Sequence, residues 1–184
     1  MRRADLSGAD LAGANLRDVN LTRADLSGAD LAGAKGISAE EIRQQTDKVE
    51  DTIMPESKPR SQLLDEAWEA LKKGLNYNTA VDRAQEYIDR SKRQALRTQK
   101  KLEDKDIPEP PTGSVDEETK QQILARNYLN GTATCYWIKG RALEALDQAG
   151  EAKAAYSEAQ RFTHARTWNE EEKTFWSPAK ASRA

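Results

Sequence analysis

Residues 4–33 read ADLSG ADLAG ANLRD VNLTR ADLSG ADLAG, which is six consecutive five-residue units. Each unit places leucine at its third position, so a leucine recurs every five residues from Leu6 to Leu31. The first position holds alanine or valine, and the second holds aspartate or asparagine. A period of five fits neither the two-residue period of a strand nor the 3.6-residue period of a helix. No single strand or helix can therefore bury all of these leucines on one face.

A square coil with one unit on each side accounts for this period. Each leucine and each small first residue then points inward, because four sides converge on a narrow axis. Aspartate and asparagine suit the corners, since their side chains form hydrogen bonds with nearby backbone in turns. The alternative is an alanine- and leucine-rich helix, which the glycines that end the ADLSG and ADLAG units oppose.

The repeat resembles the pentapeptide-repeat family, whose members form a right-handed quadrilateral β-helix. This resemblance implies a β-coil over residues 1–36. Six units at about four per turn make about one and a half turns, which is less than a solenoid needs for stability on its own. We therefore expect the coil to be open at Met1–Ala4. A second copy of the chain, a larger partner or residues absent from this sequence would cover that end.

Residues 37–60 are predicted to form a capping helix and a proline-containing linker. Ser38 and Glu41 have the spacing of a capping box, which starts a helix. We expect this helix to reach Val49 and to lie across the second end of the coil, where it replaces the missing next turn. Pro55 and Pro59 then exclude a continuous helix.

Helical periodicity begins after residue 60. Apolar side chains follow the i, i+3, i+4, i+7 spacing of an amphipathic helix: Leu64, Ala67, Trp68, Leu71 and Leu75. A second, longer helix is expected to continue to about Leu102, and the stiff proline-rich insertion at 107–113 interrupts the pattern. A further capping box at Ser114 predicts a helix that could extend to Ala149, with a weak point at residues 130–131.

Small and aromatic residues then occur at defined positions on two helices joined by a tight turn: Tyr136, Gly140, Leu143, Ala152, Tyr156 and Ala159. Over residues 133–166 this pattern resembles the tetratricopeptide repeat (TPR), an antiparallel helix pair. The resemblance implies that Gly140 and Ala152 face each other where the helices cross. It extends more weakly to a degenerate first repeat before the insertion, so that residues 61–166 are expected to form a TPR-like domain.

Residues 167–184 are expected to form a capping helix and a tail. Trp168, Phe175 and Trp176 are costly to expose in so polar a chain, and a helix ending before Pro178 would place them over the last helix pair. The predicted fold class is therefore α+β by modules. A short right-handed quadrilateral β-helix is followed by a TPR-like, all-α helical-hairpin domain.

The composition points away from an enzyme, and the two family resemblances imply binding. Among 184 residues, 29 Lys and Arg oppose 31 Asp and Glu, and the mean hydropathy is −0.89. The single cysteine excludes an internal disulfide, and the single histidine leaves little for metal or acid–base chemistry. Cys135 and His164 could meet on consecutive helices, but nothing nearby supplies an oxyanion site, so a buried Cys135 is the better interpretation. We predict no catalytic residue, cofactor or metal.

Location follows from what the sequence lacks. It contains no apolar run of membrane-spanning length and no apolar leader. The cytoplasm is therefore the default prediction, although a targeting segment trimmed from the sequence would leave the same composition.

Two surfaces are candidates for binding. The TPR-like surface around Gly140 offers four residues: Thr134, Trp137, Arg141 and Glu144. A basic segment offers six cations and no acid: Arg90, Lys92, Arg93, Arg97, Lys100 and Lys101. A solvated helix C-terminus explains this segment better than nucleic acid does, because cations favour that end of a helix and no aromatic residues are interleaved.

We therefore predict a non-catalytic scaffold or adaptor within a larger assembly. It would bind protein partners through the TPR-like surface and the open coil end, and the coil end would also allow self-association. The alternative is a nucleic-acid-associated adaptor that uses residues 90–101.

Overall fold

The computed structural model describes residues 4–55, 57–74 and 76–183. The chain divides into two compact units, Met1–Gln62 and Leu63–Ala184. The predicted open end before Ala4 lies largely outside the described residues, and so does the predicted apolar position Leu75.

In the first unit, the five-residue repeats pair with one another four units apart. Parallel bridges join Asp5 to Asp25, Asp10 to Asp30 and Asn15 to Lys35. Each is an isolated bridge, and residues 4–55 contain no extended strand. The leucines of the third to sixth units are buried, which confirms their inward orientation: Leu16, Leu21, Leu26 and Leu31.

The polar second position of every unit forms a turn, as the sequence predicts. Its side-chain oxygen accepts a hydrogen bond from the backbone N–H two residues later, at 2.9–3.2 Å: Asp5, Asp10, Asn15, Asn20, Asp25 and Asp30. The fifth position always has a positive φ, between 61° and 71°: Gly8, Gly13, Asp18, Arg23, Gly28 and Gly33. Glycine adopts this backbone conformation without the steric cost that other residues carry.

Helix α1 (Ala39–Gln45) begins with the predicted capping box of Ser38 and Glu41. The helix is shorter than expected, because it ends at Gln45, with Thr46 as its C-cap, and does not reach Val49. The following segment is not helical and contains a turn at residues 50–51. It pairs with the coil, and the N–H of Leu26 donates to the carbonyl of Lys48 at 3.0 Å. Coil backbone needs hydrogen-bond partners that a helix, whose own groups are already paired, cannot supply. The chain after Thr46 therefore replaces part of the missing turn. The predicted contact of α1 with the coil is also present, because Ile42 is buried in the same cluster as the coil leucines.

The later part of the chain is mostly helical. The helices are α2 (Arg60–Lys73), α3 (Tyr77–Glu103), α4 (Glu117–Leu124), α5 (Asn127–Ala145) and α6 (Ala149–Ala159). In the second unit α5 packs against both α3 and α6. The core between them includes Tyr87, Ile88, Leu129, Ile138 and Phe162.

The predicted helix over residues 117–149 is divided into several parts. It breaks between Leu124 and Asn127, not at residues 130–131. Gly131 lies inside α5, where an added Cβ would stand 1.9 Å from the Tyr87 hydroxyl oxygen. This glycine therefore permits close packing and is not a weak point. The N-cap of α4 is Asp116 and not Ser114.

The predicted C-terminal capping helix is wrong. Residues 167–176 form an antiparallel hairpin of β1 (Thr167–Asn169) and β2 (Thr174–Trp176), and only a short helix follows, α7 (Pro178–Ala181). The rings of Trp168 and Phe175 pack across the two strands with centroids 4.8 Å apart. β-branched and aromatic residues favour such cross-strand pairing over helix, and the Asn169 side chain caps the turn between the strands.

Candidate interaction surface

Trp137 of α5 lies between two other tryptophans. Its ring centroid is 5.6 Å from that of Trp68 and 5.0 Å from that of Trp176, and both contacts are edge-on. Each of the three side chains is only partly buried. We call Trp68, Trp137 and Trp176 the tryptophan cluster. The sequence indicated Trp137 as a surface residue but not its two neighbours, because nothing in their spacing shows that they converge.

Cations flank this cluster. The Arg141 guanidinium lies over the Trp137 ring, 6.0 Å from its centroid, and the Lys72 ammonium lies 5.7 Å from the centroid of Trp68. Arg141 also pairs with Glu144 at 3.2 Å. The structure thus brings three of the four predicted residues together on an accessible surface.

Thr134, the fourth predicted residue, lies in the interior. It is 2% exposed, its hydroxyl donates to the Asn130 carbonyl at 2.8 Å, and it shares a second hydrogen bond with Thr167. The hydroxyl therefore stabilises the junction between α5 and β1 and is not displayed on the surface.

Glu144 is also engaged, although it is exposed. It accepts a hydrogen bond from the Tyr156 hydroxyl at 2.7 Å. Burial and this carboxylate raise the pKa of Tyr156. Glu144 thus ties α5 to α6 while it remains beside Arg141.

The basic segment divides into two halves. In its first half the cations have acidic partners: Arg90 pairs with Glu86, and Lys92 pairs with Glu158 at 2.9 Å. The hydrogen bond to Glu158 raises the pKa of Lys92. The pair of Lys92 and Glu158 joins α3 to α6, whereas the pair of Arg90 and Glu86 lies within α3.

The second half of the basic segment, together with Lys105, lines a shallow depression of about 360 Å³: Arg97, Lys100, Lys101, Asp104 and Lys105. Lys100 pairs with Asp104 at 2.8 Å. Arg97, Lys101 and Lys105 make no ion pair with any residue that the structure describes. Three cations here thus remain available to an anionic ligand.

Comparison with known families concerns the other unit. A family model described as pentapeptide repeats (8 copies) matches residues 1–35. Residues 1–35 are pentapeptide repeats. No curated protein and no solved structure matches the chain.

Arg60 connects two of the pentapeptide repeats, a role that their spacing does not indicate. Its Nη2 lies 2.7 Å from Asp10 Oδ2, and its Nε lies 2.5 Å from Asp30 Oδ2. Arg60 is 6% exposed and Asp30 is 3% exposed. Arg60 thus joins two repeats that lie four units apart within the first unit.

Cys135 and His164 have separate surroundings. Cys135 is completely buried, and burial raises the pKa of its thiol well above the ordinary range. The His164 ring instead contacts Gln99 through Nδ1 at 2.9 Å and the Ile107 carbonyl through Nε2 at 2.7 Å. Both ring nitrogens of His164 are thus used to hold the proline-rich insertion against α3.

Two further observations concern the described part of the chain. It holds no group of His, Cys, Asp and Glu residues arranged to bind a metal ion. None of its helices combines the length and the apolar character needed to cross a membrane.

Proposed function

We propose that this chain is a non-catalytic scaffold protein that binds a protein partner through its helical unit. The tryptophan cluster with Arg141 is the observation that carries the proposal. Tryptophan and arginine are the residues that most often dominate the energy of protein interfaces. Three partly exposed tryptophans with two flanking cations offer a large apolar contact and a fixed charge.

The proposal also assigns an architecture to each of the two units, which is the one that its sequence pattern implies. Residues 1–36 form a short quadrilateral β-coil, which is supported by pairing between repeats four units apart. Residues 133–166 form a TPR-like helix pair, which is supported by the packing of α5 on α6. Both architectures are repeat modules that present surfaces to partners.

A comparative capture experiment tests the proposed surface. Tagged wild-type protein and the Arg141→Glu variant are used to recover binding proteins from the native cell, and Lys153→Glu on the exposed side of α6 is the matched control. We expect Arg141→Glu to lose proteins that the wild type and the control both retain. A Trp137→Leu variant that folds is tested in the same way. If all of these proteins recover the same binding proteins in equal amounts, the proposal is contradicted.

A nucleic-acid-associated adaptor is the second candidate. It is favoured by the unpaired cations Arg97, Lys101 and Lys105 beside the depression. Three phosphate contacts on a single strand predict a slope of about −2 for log K against log salt. Fluorescence anisotropy with a labelled single-stranded oligonucleotide measures this slope.

The matched variants separate local binding from general charge. Replacing the three cations Arg97, Lys101 and Lys105 with glutamine should remove the binding and its salt dependence. Replacing Lys153, Lys180 and Arg183 with glutamine changes the net charge equally and should have little effect. Identical losses in both triple variants would exclude a site on α3.

A further inference from the structure

A buried arginine holds the proline-rich insertion in place. Arg166 is 1% exposed, and its guanidinium donates to the carbonyls of Pro110, Pro111, Thr163 and Ala165. Its carboxylate partner is Glu109, at 3.7 Å, with a side chain that is 45% exposed. Carbonyl oxygens satisfy the donors of Arg166, but among the described residues its charge is compensated only by this distant and hydrated carboxylate.

A second arginine lies close to the first. Arg126 precedes α5, and Asn130, one turn later on the same helix, accepts a hydrogen bond from the Arg166 backbone N–H at 3.0 Å. Burial and the charge of Arg126 lower the pKa of Arg166, whereas Glu109 raises it. The two guanidinium groups thus share one environment with a single carboxylate.

One nitrogen of the Arg126 guanidinium lacks an acceptor within the described residues, although the side chain as a whole is only partly buried. Its Nη1 is buried without a hydrogen-bond partner, and no described carboxylate forms an ion pair with it. Burial alone lowers the pKa of Arg126. A buried N–H donor without an acceptor is costly, because that group loses its hydration and gains no hydrogen bond in return.

The balance of charge defines the missing acceptor. Two guanidinium groups and one carboxylate leave one uncompensated positive charge. A planar carboxylate carries one negative charge and accepts hydrogen bonds from the arginine fork with the right geometry. A phosphate at neutral pH would bring up to two charges and overcompensate the pair.

We propose that Arg126 and Arg166 form a binding site for a carboxylate, with Arg126 Nη1 as the donor to the ligand. Arg166 positions the insertion and adds positive potential. The site uses none of the residues of the tryptophan cluster, so it goes beyond the proposed function. The carboxylate is supplied by a small organic acid or by the C-terminus of a peptide.

Titration of the full chain with acetate tests this site directly. Side-chain ¹⁵N resonances of arginine are followed by NMR at constant ionic strength, with chloride replaced by acetate. We expect a saturable shift of the Arg126 resonances, and no such shift at the exposed Arg183. The titration extends to about 0.1 M acetate, a concentration that detects weak binding. If no saturable shift occurs at Arg126 in this range, the proposal is overturned.

Additional ligands identify the source and the kind of anion. A short peptide with a free C-terminus should compete with acetate if a partner supplies the carboxylate, whereas its amidated form should not compete. If neither peptide competes and acetate still binds, the ligand is a free small acid. Inorganic phosphate that binds tenfold more tightly than acetate would overturn the assignment to a carboxylate.

The variant Arg126→Met gives a second, independent measurement. In chloride it should unfold at a temperature at or above that of the wild type, because it removes a buried donor that has no acceptor and keeps an apolar side chain of similar length. It should also lose the stabilisation by acetate that the wild type shows. A large drop in unfolding temperature in chloride would mean that the protein itself supplies the acceptor, and would overturn the proposal.

Discussion

At the scale of single residues, the fifth position of each pentapeptide repeat is selected by one backbone torsion. Gly13 has φ +70°, and an added Cβ would meet no atom within 4 Å. Asp18 and Arg23 occupy the same position with φ 61° and 62°. Glycine is therefore favoured here by the left-handed backbone conformation and not by a lack of space for a side chain.

The variant Gly13→Ala should destabilise the first unit by about 1 kcal/mol, since alanine resists a positive φ. Gly150→Ala is the matched control, because Gly150 also has open space around its Cα but lies in the helix α6. That change should stabilise the second unit by about 0.5 kcal/mol. Denaturant unfolding of the full chain measures both, and effects of the same sign would show that the positive φ of Gly13 does not determine its response.

The pair of Asp25 and Lys48 predicts a dependence of the first unit on pH. The hydrogen bond from Lys48, with further bonds from Ser27, lowers the pKa of Asp25 to about 2. The unfolded value is about 3.9, so this pair stabilises the folded state above about pH 4, and the contribution is lost as the pH falls through 2. Both side chains are partly exposed, so salt should weaken the effect.

Asp25→Asn should flatten the decline of stability between about pH 4 and 2. Unfolding is followed at low and high salt in the wild type, in this variant and in Asp18→Asn, whose side chain forms no hydrogen bond with a described residue. If Asp18→Asn changes the profile as much as Asp25→Asn does, the Lys48 pair is not responsible.

At the scale of elements, Gly140 sets the distance between α5 and α6. The sequence pattern suggested that Gly140 faces Ala152, but the nearest atoms to a Cβ at this position belong to the Tyr156 ring, the closest at 2.3 Å. Ala152 instead packs with Leu143 and Ala155. An aromatic ring, not a methyl group, therefore fills the space that glycine leaves.

The variant Gly140→Ala should destabilise the helical unit by about 1–3 kcal/mol through overpacking. Combining it with Tyr156→Leu, which removes the ring, should recover part of that loss relative to Tyr156→Leu alone. Thermal unfolding of the four proteins measures this coupling. Strict additivity would mean that Gly140 and Tyr156 do not constrain each other.

At the scale of the whole molecule, each unit has its own buried core. Leu26 is completely buried among the leucines of the first unit, and Ile138 is completely buried in the second. Leu26→Ala should cost the first unit about 2–5 kcal/mol and leave amide exchange in α5 unchanged. Val19→Ala is the control, since Val19 is 39% exposed. Equal acceleration of exchange in both units after Leu26→Ala would indicate a single cooperative fold.

The first coil turn has an edge at which backbone carbonyls accept no backbone hydrogen bond from the described residues. The carbonyls of Ser7 and Ala12 accept no backbone hydrogen bond from the described residues, whereas the corresponding carbonyls of Ser27 and Ala32 bond to Gly8 and Gly13. Exposed edges of this kind pair readily with other edges. We expect concentration-dependent association in sedimentation experiments, with increased amide protection in residues 4–20. A strict monomer in which those amides are already protected would contradict this expectation.

Several features follow from the sequence because they depend on local chemistry. The five-residue period predicts inward leucines and polar turns, and both are observed. The Ser38 capping box predicts the start of α1, since its donors and acceptors lie within four residues. The surface position of Trp137 beside Arg141 also follows from helical spacing on a single element.

Tertiary structure decides the features that depend on residues distant in the chain. The segment after Thr46 leaves the helix because the coil edge offers backbone partners. Residues 167–176 become a hairpin because Phe175 pairs with both Trp168 and Gly113. The convergence of Arg126 on Arg166 likewise depends on how the insertion packs. Local sequence sets turns, caps and periodicity, since those energies arise within a few residues. Which distant group satisfies a backbone edge or a buried charge is determined only when the chain is folded.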